Sequence, residues 1–322
     1  MGPEPAGMVV VALGGNAILQ REQKGTADEQ FENIRVTSWH LAQMVAAGWR
    51  LVVTHGNGPQ VGNILLQNEE AKEIVPPMPL DVCGAQSQGQ IGYMFIQVLR
   101  NELQARGIAH EPVGVVTQVV VNPDDEAFRH PTKPIGPFYT EPQARRLVQT
   151  KGYQVVDTGP KGWRRVVPSP DPVHIVEIDA LRALVQAGHI VVSCGGGGIP
   201  VAKGAGGQLY GVEAVIDKDL ATERLATELG ADVMMILTDV QQVLLDYGKP
   251  TSRPVSRLSV PEGRQLMREE QFPAGSMGPK VEACLRFVEN GGRRAIIANL
   301  AQAGAALRGS AGTEFTAQSR EG

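Results

Sequence analysis

The sequence predicts an α/β fold on a mainly parallel, open central sheet, with one insertion projecting from it. Three observations carry this. Short apolar runs without strict alternation recur along the chain, as buried parallel strands require. Helix-like stretches with three/four spacing alternate with them. One long polar, proline-rich segment then breaks the rhythm.

In chain order, residues 8–13, 50–54, 114–121, 189–193, 233–237 and 295–298 predict strands, each dominated by Val, Ile, Leu, Met or Ala. Between the first two, Phe31, Ile34, Leu41 and Val45 share one helical face, and Gly48 stands where that helix would stop. Ala221, Leu225 and Leu229 stack on a second helix ended by Gly230. Val281, Cys284 and Val288 line a third, with Ser276 just ahead and Pro279 suited to a first turn. Residues 122–172 hold nine of the 22 prolines, and they are expected to form the projecting insertion, with short elements of their own around 141–150. The domain plan is therefore a single α/β unit over 1–310, the insertion at 122–172, and a poorly ordered tail over 311–322.

Composition narrows the function. The 322 residues are 42% hydrophobic, enough for a large core, and include 38 glycines, which suits tight loops. A formal net charge of −4 without a basic run argues against nucleic acid as a partner. Cys83, Cys194 and Cys284 are far apart and form no CxxC, so neither a zinc site nor a disulfide framework is expected, and a reducing, cytoplasmic setting fits. The run at 8–13 is too short to span a membrane, and no membrane partner is expected.

Four glycine-rich segments carry the chemistry: Gly14-Gly15-Asn16, His55-Gly56-Asn57-Gly58-Pro59, Gly195-Gly196-Gly197-Gly198, and Gly275-Ser276-Met277-Gly278-Pro279-Lys280. The first three follow expected strands and the fourth leads into a helix. In open α/β sheets, ligands collect at the carboxyl ends of strands, where glycine lets backbone N–H groups approach an anion. One such loop is as well explained by a tight turn; four together point to phosphate. The sequence contains no G-x-x-x-x-G-K-[ST], no G-x-G-x-x-G after the first strand and no protein-kinase signature, so the phosphate chemistry uses another scaffold.

Lys218, Lys280 and Lys133 stand in helix-starting or Gly/Pro-stiffened contexts. A transferring phosphoryl group spreads negative charge over its oxygens, so catalysis is mostly positioning and electrostatic stabilisation, work that lysines and backbone donors can do. Asp217, beside Lys218, suits orienting lysines better than attack. An acid substrate is its own nucleophile, so no Ser, Cys or His nucleophile is required.

These segments, together with Pro131-Thr132-Lys133-Pro134-Ile135-Gly136-Pro137, Gly162-Trp163-Arg164-Arg165 and Gly211-Val212-Glu213-Ala214-Val215-Ile216-Asp217-Lys218-Asp219, resemble the amino-acid kinase superfamily and, within it, the carbamate kinases. The resemblance runs from Val9 to about Ala298. It implies a three-layer α/β/α sandwich with a protruding lid subdomain, a homodimer, and reversible phosphoryl transfer between ATP and carbamate, giving ADP and carbamoyl phosphate, with Mg²⁺. It implies ATP formation in arginine catabolism as the cellular role. It assigns Gly14, Gly15, Asn16, Gly56, Asn57 and Gly58 to the acceptor side, with Arg164 assisting from the subdomain. Lys218 and Lys280 would stabilise the transferring phosphoryl group, with Asp217 organising them, and Lys133 would enter as the subdomain closes. Gly196, Gly197, Thr238, Asp239, Val240, Tyr247, Gly275, Ser276 and Met277 fall to the nucleotide side. No protein residue is assigned to the metal.

Three positions depart from the pattern. Gly278 stands where a larger apolar residue is expected, a change of packing rather than chemistry. Residues 203–208 add an Ala/Gly-rich stretch after the third loop that is longer than usual, which leaves mobility near the nucleotide open. Asp239 stands where Gly is expected. His55 precedes a glycine loop and could act as a base, but the resemblance gives it a structural role. Two alternatives stay open: a superfamily relative acting on an amino-acid carboxylate or nucleoside monophosphate, and a nucleotide sensor without turnover.

Overall fold

The computed structural model describes residues 7–20, 22–273 and 275–318. Its central sheet has eight strands in the order Arg257–Ser259, Thr313–Thr316, Arg294–Asn299, Val233–Thr238, Gly7–Leu13, Trp49–His55, Ile190–Val192 and Pro112–Gly114. The six strands from Arg294–Asn299 onward run parallel, and Thr313–Thr316 turns antiparallel at that edge.

The continuous apolar runs have a direct cause. Along Gly7–Leu13, Met8, Val10 and Ala12 point into one core while Val9, Val11 and Leu13 point into the other. A strand covered on both faces has no solvent side, so the alternation seen in half-exposed strands is lost. Helices Ile178–Gln186, Lys218–Leu229, Val260–Arg268 and Met277–Glu289 cover the first face. Helices Ala27–Ala46, Leu80–Ala105 and Ala303–Leu307 cover the second. This is the three-layer α/β/α arrangement.

Local signals set the helix ends. The Thr26 hydroxyl accepts from the Glu29 N–H, and the Glu29 carboxylate accepts from the Thr26 N–H, a reciprocal cap on Ala27–Ala46. Asp217 caps Lys218–Leu229 by accepting from the Asp219 N–H at 2.9 Å, and Gly230 closes that helix at φ 68°. Among the described residues no helix is long and apolar enough to cross a membrane.

Two expectations need correction. The expected strand at 114–121 is two strands in two sheets. Val115 N–H still donates to Val192 O, but Thr117 then turns the chain: its N–H goes to the Gln88 side chain and its hydroxyl accepts from the Cys194 N–H. The second piece, Gln118–Val121, joins a four-stranded sheet with Leu209–Gly211, Ile199–Lys203 and Pro172–Ile175. Residues 203–208 are the ordered turn of the antiparallel pair Ile199–Lys203 and Leu209–Gly211, closed by Gly204 N–H donating to Gln208 O at 2.8 Å. The tail is structured where it was expected loose. Thr313–Thr316 lies between two strands with Thr313 and Phe315 buried, because Phe315 fills the core face of the sheet edge; residues 319–322 lie outside the described residues.

The insertion leaves the body through Gln118–Val121 and returns through Pro172–Ile175, which pair antiparallel. Between them a three-stranded sheet, in the order Lys133–Tyr139, Trp163–Val167 and Gln154–Asp157, carries helix Glu141–Lys151. It rests on helix Gly58–Ala71, with Ile135 and Val167 packed among Val61, Leu80 and Cys83.

Candidate active site

Three parallel strands end side by side, with Leu13 level with His55 and with Leu237. The loops leaving them therefore start at one height. Gly14 N–H donates to Leu237 O at 3.0 Å, and Gly56 N–H to Leu13 O at 3.2 Å. A side chain on Gly56 would meet the Lys218 stem 3.5 Å away and the Gly15 nitrogen 3.8 Å away, so the first two glycine loops and Lys218 converge. Asn57 is buried and donates to Ser87 Oγ at 2.7 Å. Gly196 (φ 68°) packs so tightly on Asn57 that a Cβ would sit 2.1 Å from its amide nitrogen, which leaves room for glycine alone. Gly197 packs likewise on the Ile216 carbonyl. Both expected nucleotide-side glycines thus lie buried against the Asn57 loop and the segment before Lys218.

Asp219 sits at the centre of the charged cluster. Its side chain is only 4% exposed, and its two oxygens accept from Lys218 Nζ at 2.5 Å and Lys280 Nζ at 2.8 Å. Burial alone would raise its pKa, but the two ammonium groups outweigh burial and hold it down at about 2. Burial pulls Lys218 below the usual lysine range, against the attraction of Asp219. At Lys280 burial acts the same way, but Asp219 and Asp217 override it and the pKa rises. Asp217 acts on these lysines through its charge, while its hydrogen bonds go elsewhere. Its Oδ2 accepts from Lys133 Nζ at 2.8 Å while its Oδ1 caps the helix, so its hydrogen bonds hold the insertion's lysine and the helix start. The carboxylate bonded to both Lys218 and Lys280 is Asp219, which is not among the residues singled out from the sequence although it closes the Asp217-Lys218-Asp219 motif.

The remaining candidates divide. Asn16 Nδ2 donates to Asp239 Oδ2 at 3.3 Å, and Thr238 Oγ1 donates to Asp239 Oδ1 at 3.1 Å. The unexpected aspartate therefore ties the first loop to the 238–240 segment. Gly275, Ser276 and Met277 lead into Met277–Glu289, which carries Lys280 in its first turns; Ala274 lies outside the described residues. Gly278 is buried, and a Cβ there would come 3.2 Å from the Pro273 carbonyl, so its departure is one of packing. Tyr247 is 68% exposed, in the turn between Val243–Leu245 and Arg253–Val255. Arg164 stays within the insertion, donating to Gly136 O at 2.9 Å and lying 5.2 Å from the Phe138 ring centre. Gly58 is exposed at the start of Gly58–Ala71.

His55 is structural. It is buried and stacks on Phe95 at 6.0 Å, and burial, aided by the Lys218 charge, pushes its pKa down to about 4. A neutral ring facing Gly56 O at 2.9 Å must carry its proton on Nδ1, where it anchors the second loop.

Comparison with known proteins agrees with this geometry. Residues 7–299 match the model of the amino acid kinase family. The carbamate kinase of Pyrococcus horikoshii is 53% identical over 310 residues, covering 96% of this chain and 98% of the relative. That of Clostridium perfringens is 46% identical over 311 residues, 95% of this chain and 99% of the relative. Among solved structures, carbamate kinase from Giardia lamblia bound to AMP-PNP superposes with a TM-score of 0.91 at 44% identity, covering 96% of this chain and 98% of that one.

Proposed function

The chain belongs to the amino acid kinase family, and from that premise we propose that it catalyses the carbamate kinase reaction, ATP and carbamate giving ADP and carbamoyl phosphate, reversibly. The observation that carries the reading is the cluster of Lys218, Lys280 and Asp219 beside two glycine loops. A buried carboxylate keeps both lysines charged and aimed before substrate arrives, so stabilising the transferring group needs little reorganisation. Acceptor oxygens would lie against the backbone N–H groups of Gly15 and Gly58 and the side chains of Asn16 and Asn57, while Gly14 and Gly56, whose N–H groups are held by Leu237 O and Leu13 O, let the two loops approach closely. Thr238–Val240, with Gly275–Met277, would line the nucleotide side. Lys133 would meet the carbamoyl phosphate end from the insertion. The carboxylate of carbamate attacks the γ-phosphorus directly, and His55, neutral and turned to Gly56 O, takes no proton in this scheme.

Mg²⁺ fits as an ion borne by the nucleotide. Among the described residues no three or more His, Cys, Asp or Glu side chains cluster to cage a metal, and Mg²⁺ in phosphoryl transfer usually keeps phosphate and water ligands with one or two carboxylates at most. Asp239, the carboxylate that accepts from Asn16, could share it. The ion would neutralise phosphate charge. The same resemblance supports a homodimer in the cytoplasm, working toward ATP in arginine catabolism.

The decisive test mixes purified protein with carbamoyl phosphate, ADP and Mg²⁺ and measures ATP. Formation of ATP is expected. No ATP, but product with acetylglutamate-like acids or UMP as acceptors, overturns the assignment.

A further inference from the structure

The segment between Gly211 and Lys218 runs beside the insertion with a bend at Glu213, and Glu213, Val215 and Asp217 each hold that insertion. Glu213 pairs with Arg165. The Val215 N–H donates to Pro168 O at 2.9 Å, and its side chain joins the apolar cluster of Ile135 and Val167. Asp217 takes Lys133. The next two residues are Lys218 and Asp219, so a single stretch of backbone both docks the insertion and starts the catalytic helix.

The outer point of this seam is the best braced. Arg165 is only 12% exposed, and its guanidinium lies 3.8 Å from the Tyr153 ring centre, which fixes the plane it offers to Glu213. Arg165 is level with Ile135 on the neighbouring strand, two residues from Lys133. Pinning Arg165 therefore sets where the Lys133 ammonium ends. We propose that Arg165 and Glu213 are a positioning pair for the phosphoryl transfer, anchoring the insertion so that Lys133 reaches the site. Neither touches substrate. The proposal rests on the reading of the site given above.

Cys83 supplies an independent gauge of the seam. It is wholly buried in the cluster of Ile135 and Val167, whereas Cys194 and Cys284 lie in the core of the main body. Alkylation of Cys83 thus requires the seam to part. Glu213→Gln is expected to speed Cys83 alkylation by N-ethylmaleimide and to lower kcat with carbamoyl phosphate, each by about fivefold, the scale of one partly exposed ion pair. KM for ADP should hold, Glu213→Asp should restore most of the loss, and adding Arg165→Met to Glu213→Gln should cost little more. A Cys83→Ser chain checks the labelled site. Unchanged alkylation in Glu213→Gln overturns the proposal, and so does faster alkylation with unchanged kcat. If the unsubstituted protein makes no ATP from carbamoyl phosphate, the substrate reading fails, and the alkylation rate alone decides the seam.

Discussion

The main body and the insertion deliver cations to one place by opposite means. Lys218 and Lys280 rise from two helix starts on the rigid sandwich and share one buried carboxylate. Lys133 is 35% exposed, comes from a small three-stranded sheet, and meets a carboxylate of its own. The body's pair is set by a core in which strands are covered on both faces, while the insertion's lysine depends on a seam of a few apolar residues and ion pairs. The difference teaches a division of labour. The part that must stabilise charge is preorganised, and the part that completes the site sits on an element with few contacts to lose.

The comparison can be broken most severely at Asp219. Asp219→Ala would leave two buried ammonium groups facing each other, and loss of a partner from a buried pair costs about 3–5 kcal/mol. The expected outcome is a large drop in the urea midpoint with almost no turnover; a variant near normal in both removes the shared carboxylate from the argument. His55 tests how dry the body side is. Its pKa falls from 6.5 to about 4 on folding, so the unfolded chain binds the extra proton between these values. Stability is then full above pH 6.5 and falls by about 3 kcal/mol as pH drops to 4, at 1.36 kcal/mol per pKa unit. Urea midpoints measured across that range should show the decline, and His55→Gln should flatten it.

Lys218→Ala and Lys280→Ala keep Asp219 neutralised once, so the fold should survive while kcat falls about a hundredfold, as for removal of one donor to developing charge. Near-normal turnover in both would sink the site. The smallest effect is expected at Lys133→Ala. Stability should stay within about 0.5 kcal/mol, as for most surface changes, and kinetics should show a loss against carbamoyl phosphate with ADP binding kept. Equal loss of both would make the insertion a scaffold and erase the contrast between the two regions.

Much of this was legible beforehand because it is local. Apolar runs between glycines mark buried strands wherever both faces are covered, and Gly230 terminates its helix through its own backbone chemistry. Helices Gly58–Ala71 and Leu80–Ala105 escaped because they are spotted with Gly and polar residues such as Gln60, Ser87 and Gln88, buried here by hydrogen bonds to distant partners. The tail escaped for a similar reason: a four-residue strand has no periodicity to read, and only the vacant sheet edge makes a place for Phe315.

By itself the sequence determined the α/β alternation, the glycine loops at strand ends, the three lysines and the family they resemble. Tertiary structure alone decided which carboxylate serves which lysine. Asp217 and Asp219 lie on either side of Lys218 in the chain, and sequence distance cannot rank them. At the helix start, Asp217, the extended cap residue, turns out toward the insertion and Lys133, while Asp219, two residues on in the first turn, turns in between Lys218 and Lys280. The change from extended backbone at the cap to helical backbone in the first turn separates their roles.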